Sequence, residues 1–387
     1  MKIGGLTWWR NNYGSILQAY ALQQELNEYE NIEYEIICQY GKKIASVDNL
    51  IDKIKSIGLR KTIYKFFWKF CIPGINQRNQ KIQLFVDQFL TVSKKQYTYE
   101  TINDANNIYD GFICGSDQVW NLTLVNTKDI YWLGFAKKDK IKIAYAPSFG
   151  SNEISEQQKV DIRDNLMSFE AVSCREEIGT EALNKILGKD ICKTVLDPTM
   201  LVQRKLWDDL CQSISREYFP KPYIFVYMLR GTRQQRKTIE LYARAHKMKI
   251  VTIPFLETEK IELYDFKFGD IKIWDADPID FINLVRNAEC VFTDSFHSTV
   301  FSCLYHVPFF IFPKIGATQM NRLEALQTLL GIESRVVHNI HEINLVELKK
   351  IDWIKVEEKL QKYRSKSKKF LSEAIDQGKE KHGSICL

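Results

Sequence analysis

Cys290-Val291-Phe292-Thr293-Asp294-Ser295-Phe296-His297-Ser298-Thr299 passes from an apolar run, through a short polar turn, into the opening of a helix. The run predicts a strand over 289–293, and the pattern after it predicts a helix over 296–305. Asp294 or Ser295 can cap that helix, whose free N–H groups and macrodipole favour an anion. His297 falls in the first turn, beside whatever binds there, and imidazole is the natural side chain for proton transfer near neutral pH. The same residues also read as a capping turn whose histidine makes a structural hydrogen bond.

Outward from this unit the same grammar recurs along the chain. Strand-like runs are predicted at 2–6, 34–38, 111–114, 141–146, 171–174 and 192–196, with helices from about Ser15 and from 176 to 187. Ile16, Leu17, Tyr20, Ala21 and Leu22 supply the apolar face of the first helix, and Gly188 is a suitable left-handed stop for the second. After a polar helix over 207–218 and the punctuation Pro220-Lys221-Pro222, a second series begins. Its strands are predicted at 223–229, 249–254, 289–293 and 308–312, and its helices at 234–246, from Asp277-Pro278, at 296–305 and at 321–330. Short apolar runs alternating with helical patterns predict an α/β chain of parallel βαβ units. A chain of 387 residues is too long for one ordinary core. The expected organisation is two Rossmann-like domains facing a central cleft, over 1–205 and 206–345. A charged helical tail follows over 346–387, with Ile354, Leu360, Tyr363, Phe370 and Leu371 as packing residues. In such sheets ligands bind at strand-end loops.

Composition narrows the function. The net charge is +6, which suits an anionic small substrate or a membrane surface better than duplex nucleic acid, so no nucleic-acid partner is expected. No apolar run reaches the length of a signal peptide or a membrane span. The nine cysteines include no CxxC pair, and Cys38, Cys114, Cys290 and Cys303 sit in strand-like runs where a reduced thiol packs as a small hydrophobe. The histidines lack HxxxH spacing, so no metal is expected. Asn121-Leu122-Thr123 matches a glycosylation sequon that carries no weight without a secretory signal.

Three more loops follow strands. Asn12-Tyr13-Gly14-Ser15 offers backbone and hydroxyl donors, or is an ordinary turn and cap. Gly115-Ser116-Asp117-Gln118-Val119-Trp120-Asn121 is rich in polar groups. A sugar could stack on Trp120 and bond to Asp117 or Gln118, although a buried loop network would look the same. Pro147-Ser148-Phe149-Gly150 is less informative. Arg175 and Arg230 each end a strand, where a guanidinium is suited to phosphate or carboxylate.

Taken in order, these pieces resemble the polysaccharide pyruvyl transferase family. The resemblance rests on Asn12-Tyr13-Gly14-Ser15-Ile16-Leu17-Gln18-Ala19-Tyr20, Gly115 to Asn121 as quoted above, Tyr145-Ala146-Pro147-Ser148-Phe149-Gly150, Ser173-Cys174-Arg175-Glu176, Leu196-Asp197-Pro198-Thr199 and Thr293-Asp294-Ser295-Phe296-His297. It implies a GT-B-like fold and an enzyme of bacterial surface-glycan synthesis. Such an enzyme takes phosphoenolpyruvate as donor substrate, needs no cofactor, and leaves a pyruvate ketal on a sugar or lipid-linked oligosaccharide. On that reading His297 and Asp294 are catalytic, with Asp294 orienting the histidine or holding the acceptor. Arg175, Arg230, Ser295 and Ser298 meet the donor, and Asn12, Tyr13, Ser15, Ser116, Asp117, Gln118 and Trp120 meet the acceptor. Many members carry Arg-x-His in the last motif, where this chain has Ser295-Phe296-His297. The expected location is cytoplasmic, at the inner face of the membrane if the acceptor is lipid-linked. The basic, aromatic segment 48–81 is either an amphipathic contact with an anionic membrane or a helical element packed on the first domain.

Overall fold

A strand of four or five apolar residues buries both faces only inside a sheet covered on two sides, which parallel βαβ connections provide. The computed structural model describes residues 1–40, 73–121, 130–149, 154–212, 222–255, 264–313 and 320–385. Within them the chain forms two parallel sheets. The first contains β1 (Lys2–Leu6), β2 (Glu33–Gln39), β3 (Val92–Tyr97), β4 (Gly111–Cys114), β5 (Ile141–Ala144), β6 (Ala171–Cys174) and β7 (Lys193–Thr194), in the order β3-β2-β1-β4-β5-β6-β7. The second contains β8 (Tyr223–Tyr227), β9 (Lys249–Thr252), β10 (Ile271–Lys272), β11 (Cys290–Thr293) and β12 (Phe309–Ile311), in the order β10-β9-β8-β11-β12. The central strands β4, β5, β8 and β11 are buried along their whole length.

The helices are α1 (Tyr13–Asn27), α2 (Ile75–Phe89), α3 (Glu156–Leu166), α4 (Glu177–Leu187), the single turn α5 (Pro198–Leu201), α6 (Arg204–Gln212), α7 (Arg233–Ala245), α8 (Pro278–Arg286), α9 (Phe296–Leu304), α10 (Met320–Leu330), α11 (Ile340–Leu348) and α12 (Trp353–Ile385). Their ends follow local chemistry. Asp277 caps α8 in a reciprocal box with Asp280, ahead of Pro278 at the first helical position. Gly188 closes α4 at φ 66°, a left-handed conformation that costs glycine nothing.

Both sheets reverse strand order at one point, between β1 and β4 in the first and between β8 and β11 in the second. The loops leaving these strands part there, which opens a crevice at the carboxyl ends. Helix α1 lies between the sheets. It is buried around most of its circumference rather than on the one apolar face expected, and even Gln18 is fully enclosed. Tyr13 stacks on Phe281 of α8 at 5.5 Å and 14°, and its hydroxyl donates to the Ala276 carbonyl at 2.9 Å. Trp207 of α6 meets Tyr20 on one side and Phe301 of α9 on the other. One apolar cluster thus runs from the first sheet to the second.

The tail helix α12 returns to the first domain. Arg364 donates to the Met200 carbonyl at 3.0 Å, Ser367 Oγ accepts from the Leu196 amide at 2.9 Å, and Lys368 pairs with Glu25. Leu360 and Leu371 are buried as expected of packing residues, and Tyr363 and Phe370 are half-buried, but Ile354 is 76% exposed and Val356 takes its place inside. Several elements differ from the sequence expectation. β3, with the sequence Val-Ser-Lys-Lys-Gln-Tyr, is an edge strand whose polar residues gave no apolar run, and β10 has only two residues. The strand expected over 192–196 is confined to Lys193–Thr194, and that over 141–146 stops at Ala144. Residues 48–72 of the basic segment, 213–218 of the polar helix, and Leu122, Thr123 and Gly150 lie outside the described residues.

Leu371 is fully buried, so Leu371→Ala should cost about 2–5 kcal/mol through lost burial and a residual cavity. A urea unfolding midpoint equal to that of the unmodified protein would show that α12 does not brace the first domain.

Candidate active site

Four loops meet at the crevice: those after β1 and β4 in the first domain and those after β8 and β11 in the second. They enclose a cleft of about 520 Å³ whose walls include Asn12, Ser15, Asp117, Gln118, Arg230, Ser295, His297 and Arg322.

The floor is organised by Asp197, which is fully buried at the start of α5. Its Oδ1 accepts from the Thr199 amide at 3.0 Å and the Thr199 hydroxyl at 2.6 Å. Its Oδ2 accepts from Ser116 Oγ at 2.9 Å and from Arg175 Nη1 at 2.8 Å, and faces His297 Nε2 at 3.8 Å. Burial alone would push this carboxyl up. The His297 ring, Arg175 and Thr199 outweigh it and hold the group well below the usual carboxylate range. Arg175 also donates from Nε to Glu176 at 3.0 Å, and its guanidinium lies 4.2 Å from the Phe296 ring centre. Burial lowers the affinity of Arg175 for its proton, yet Glu176, Asp197 and Asp117 more than reverse this, and its pKa is raised.

His297 sits in the first turn of α9 and is nearly enclosed. Its opposite face lies against Gly14 in the first turn of α1. A Cβ on Gly14 would overlap the imidazole Nδ1 and Cγ, so this close approach of the two domains requires glycine. The histidine of one domain is therefore lodged between the backbone and the buried carboxylate of the other.

The structure divides the remaining candidates. Asn12 caps α1, accepting from the Gly14 amide at 2.9 Å, and Ser15 Oγ donates to Asp117 Oδ2 at 2.5 Å. Asp117 holds φ at 77°, strained for a residue other than glycine, and its Oδ1 accepts from the Gln118 amide at 2.9 Å. These side chains line the cleft. Ser295 caps α9 from the cleft wall, and the Ser298 hydroxyl is enclosed with no partner among the described residues.

Other candidates are placed otherwise, among them Arg175, which is buried in its pairs with Asp197 and Glu176 and does not line the cleft. Asp294 accepts from the Leu229 and Arg230 amides at 2.6 and 2.8 Å, clamping the loop after β8; both its oxygens are held by backbone, and the carboxylate that faces His297 is Asp197. Trp120 is fully buried, stacked on Trp132 at 4.4 Å and 8°, with its indole N–H on the Tyr131 carbonyl, so no sugar can reach its face. Tyr13 joins the domains, and Ser116 is buried beneath Asp197.

The cleft also carries arginines that the sequence did not single out. Arg10 is sandwiched between the Trp9 and Tyr40 rings, at 4.0 Å from each, and donates to the Gln39 carbonyl. Arg78 donates from Nε to the Tyr13 hydroxyl at 2.8 Å and from Nη2 to the Asn11 carbonyl at 3.2 Å. Arg322 enters from α10, so a guanidinium reaches the wall formed by Ser295 and His297 although Ser295 itself carries no charge. With Arg10, Arg78, Arg230 and Arg322 facing one carboxylate, Asp117, the cleft is cationic.

The chain belongs to the polysaccharide pyruvyl transferase family, whose profile matches residues 12–313. This is a family of transferases. Its two facing parallel-sheet domains have the GT-B-like arrangement. The structure of UDP-GlcNAc 2-epimerase from Methanocaldococcus jannaschii superposes with a TM-score of 0.53 at 14% identity, covering 91% of this chain and 93% of that one. The enzyme of the same name from Neisseria meningitidis, bound to UDP-GlcNAc, gives 0.50 at 10% identity, covering 97% and 99%. A variant of the wall teichoic acid polymerase TagF gives 0.50 at 11% identity, covering 99% and 90%. No curated protein matches the chain in sequence.

Removing the Asp197 charge leaves Arg175 buried with Glu176 as its remaining carboxylate partner. Asp197→Asn should therefore lose about 3–5 kcal/mol at neutral pH. Because the folded protein holds this carboxyl below its ordinary value, its stabilisation is complete above about pH 4, the range of an unfolded aspartate, and drains away as pH falls. The variant's unfolding midpoint should accordingly change less with pH below about 4 than that of the unmodified protein. Parallel acid curves would contradict the network.

Proposed function

We propose that the chain transfers a pyruvyl group from phosphoenolpyruvate to two hydroxyls of a sugar, leaving a ketal on a bacterial surface glycan or its lipid-linked precursor. The observation that carries this reading is a single histidine, held at a domain interface, opening on a cleft lined by arginines. Phosphoenolpyruvate has a carboxylate and a phosphate, so its site needs cationic or N–H donors for both. The cleft arginines and the first turn of α9 are of the right kind. Family membership supports the same donor.

In this scheme His297, protonated, gives its proton to the methylene carbon of the donor, which becomes a methyl group. The adjacent carbon becomes electrophilic and a sugar hydroxyl oxygen bonds to it. The bond from that carbon to the phosphate oxygen then breaks, and phosphate leaves with the electron pair. A second hydroxyl closes the ketal. Of the two hydroxyl protons released, one restores His297 and the other leaves with phosphate. Asp197, ionised and buried, faces the imidazole Nε2 at 3.8 Å and fixes the ring; its part is positioning. Asp294 positions the loop that carries Arg230. Asn12, Ser15, Asp117 and Gln118 form the polar side of the cleft opposite Ser295 and suit an acceptor sugar. No described helix is long and apolar enough to cross a membrane.

The test is incubation with phosphoenolpyruvate and a panel of sugars, scored by acceptor mass and by phosphate released. Both signals should appear together, and His297→Ala should lower the rate by about 10²–10⁴-fold, the usual contribution of a positioned acid or base. An unaltered rate in that variant, or tight binding of a nucleotide sugar with none of phosphoenolpyruvate, would sink the reading.

A further inference from the structure

Arg322 is buried in the wall shared by the cleft and a second cavity of about 400 Å³ behind it. A buried guanidinium normally faces a carboxylate, and among the described residues no ion pair is made by this one. The nearby acids are committed elsewhere. Asp197 and Glu176 pair with Arg175, and Asp117 accepts from Ser15 and from the Gln118 amide. What Arg322 meets is neutral: with its amide oxygen turned inward, Gln118 accepts from Nη2 and Nη1 at 2.8 and 3.1 Å. The Nε–H of Arg322 is enclosed with no acceptor among the described residues. Burial, and then the charge of Arg175, push the Arg322 pKa down to about 10. The other cleft arginines differ: Arg10 and Arg78 are anchored to carbonyls and aromatic rings, and Arg230 is exposed.

A buried cation with an idle donor and no anion is costly unless a ligand completes it. We propose that Arg322 is the anion anchor of the cleft, its guanidinium binding the phosphate or carboxylate of the small donor molecule. The assignment deepens the pyruvyl-transfer reading, which supplies the donor, and it makes α10 the source of the charge that Ser295 lacks. A guanidinium can meet an oxyanion in bidentate fashion, whereas a lysine would offer only a point charge.

The test measures thermal stabilisation and calorimetric binding with inorganic phosphate, pyruvate and phosphoenolpyruvate, on the full chain and on Arg322→Gln and Arg322→Lys. Phosphoenolpyruvate should bind roughly tenfold to hundredfold more weakly to Arg322→Gln, the loss expected for a charged hydrogen bond. Arg322→Lys should be intermediate. Inorganic phosphate responding to the substitution while pyruvate does not would place the phosphate on Arg322, and the converse would place the carboxylate there. Without any anion, Arg322→Gln should melt no lower than the unmodified protein, since it removes an unpaired charge. A lower melting temperature with unchanged binding of all three ligands would make Arg322 structural and overturn the proposal. Pyruvyl transfer with an unchanged KM in Arg322→Gln would reject the anchor and keep the reaction. Anion binding that depends on Arg322, without transfer to any sugar, would keep the anchor and reject the reaction.

Discussion

The cleft depends on one buried carboxylate. Asp197 stands at the junction of the first sheet, the α5 turn and the second domain, and its two oxygens serve Thr199, Ser116 and Arg175 while facing His297. A charge in that position is tolerable only because each lone pair has a partner. The same condition fixes the partners. Arg175 is drawn inward against Phe296, the loop after β4 is held by Ser116, and the imidazole has a single pocket available between Asp197 and Gly14.

This arrangement explains why two domains are needed for one histidine. The proton-transferring role proposed for His297 requires a group that keeps its geometry while staying open to the ligand. Here the second domain supplies the ring on the rigid first turn of α9, and the first supplies the carboxylate and the glycine against which the ring rests. The apolar continuity through Tyr13, Phe281, Trp207 and Phe301 keeps the two halves in register. The charge distribution follows the same division. Acids near the floor are neutralised locally by Arg175, so the open cleft presents the positive field of Arg10, Arg78, Arg230 and Arg322.

The architecture was largely legible because parallel strands buried on both faces must be written as short apolar runs, as β4, β8 and β11 are. Edge strands carry no such obligation. The Lys-Lys-Gln of β3 therefore hid it, and two-residue β10 was too short to show a pattern. In the site, the strand-to-helix turn pointed to His297, which lines the cleft, but local sequence could not choose among carboxylates. Asp294 is adjacent in sequence and engaged by the backbone of the β8 loop, whereas Asp197 is distant in sequence and faces the ring. Asp197 entered only within the Leu196-Asp197-Pro198-Thr199 resemblance, because nothing local shows that one side chain will serve both as a cap and in a buried ion pair. Trp120 read as a stacking platform because its partner, Trp132, is brought to it by tertiary folding. Arg322 gave no local signal, since what distinguishes it is the prior commitment of every nearby acid.

The most direct measurement is a crystal structure of the protein with phosphoenolpyruvate. The donor should lie between His297 and Arg322, with its methylene carbon toward the imidazole and one anionic group on the Arg322 guanidinium. A donor bound away from His297, or a cleft that accepts a nucleotide sugar and leaves phosphoenolpyruvate in solution, would contradict it.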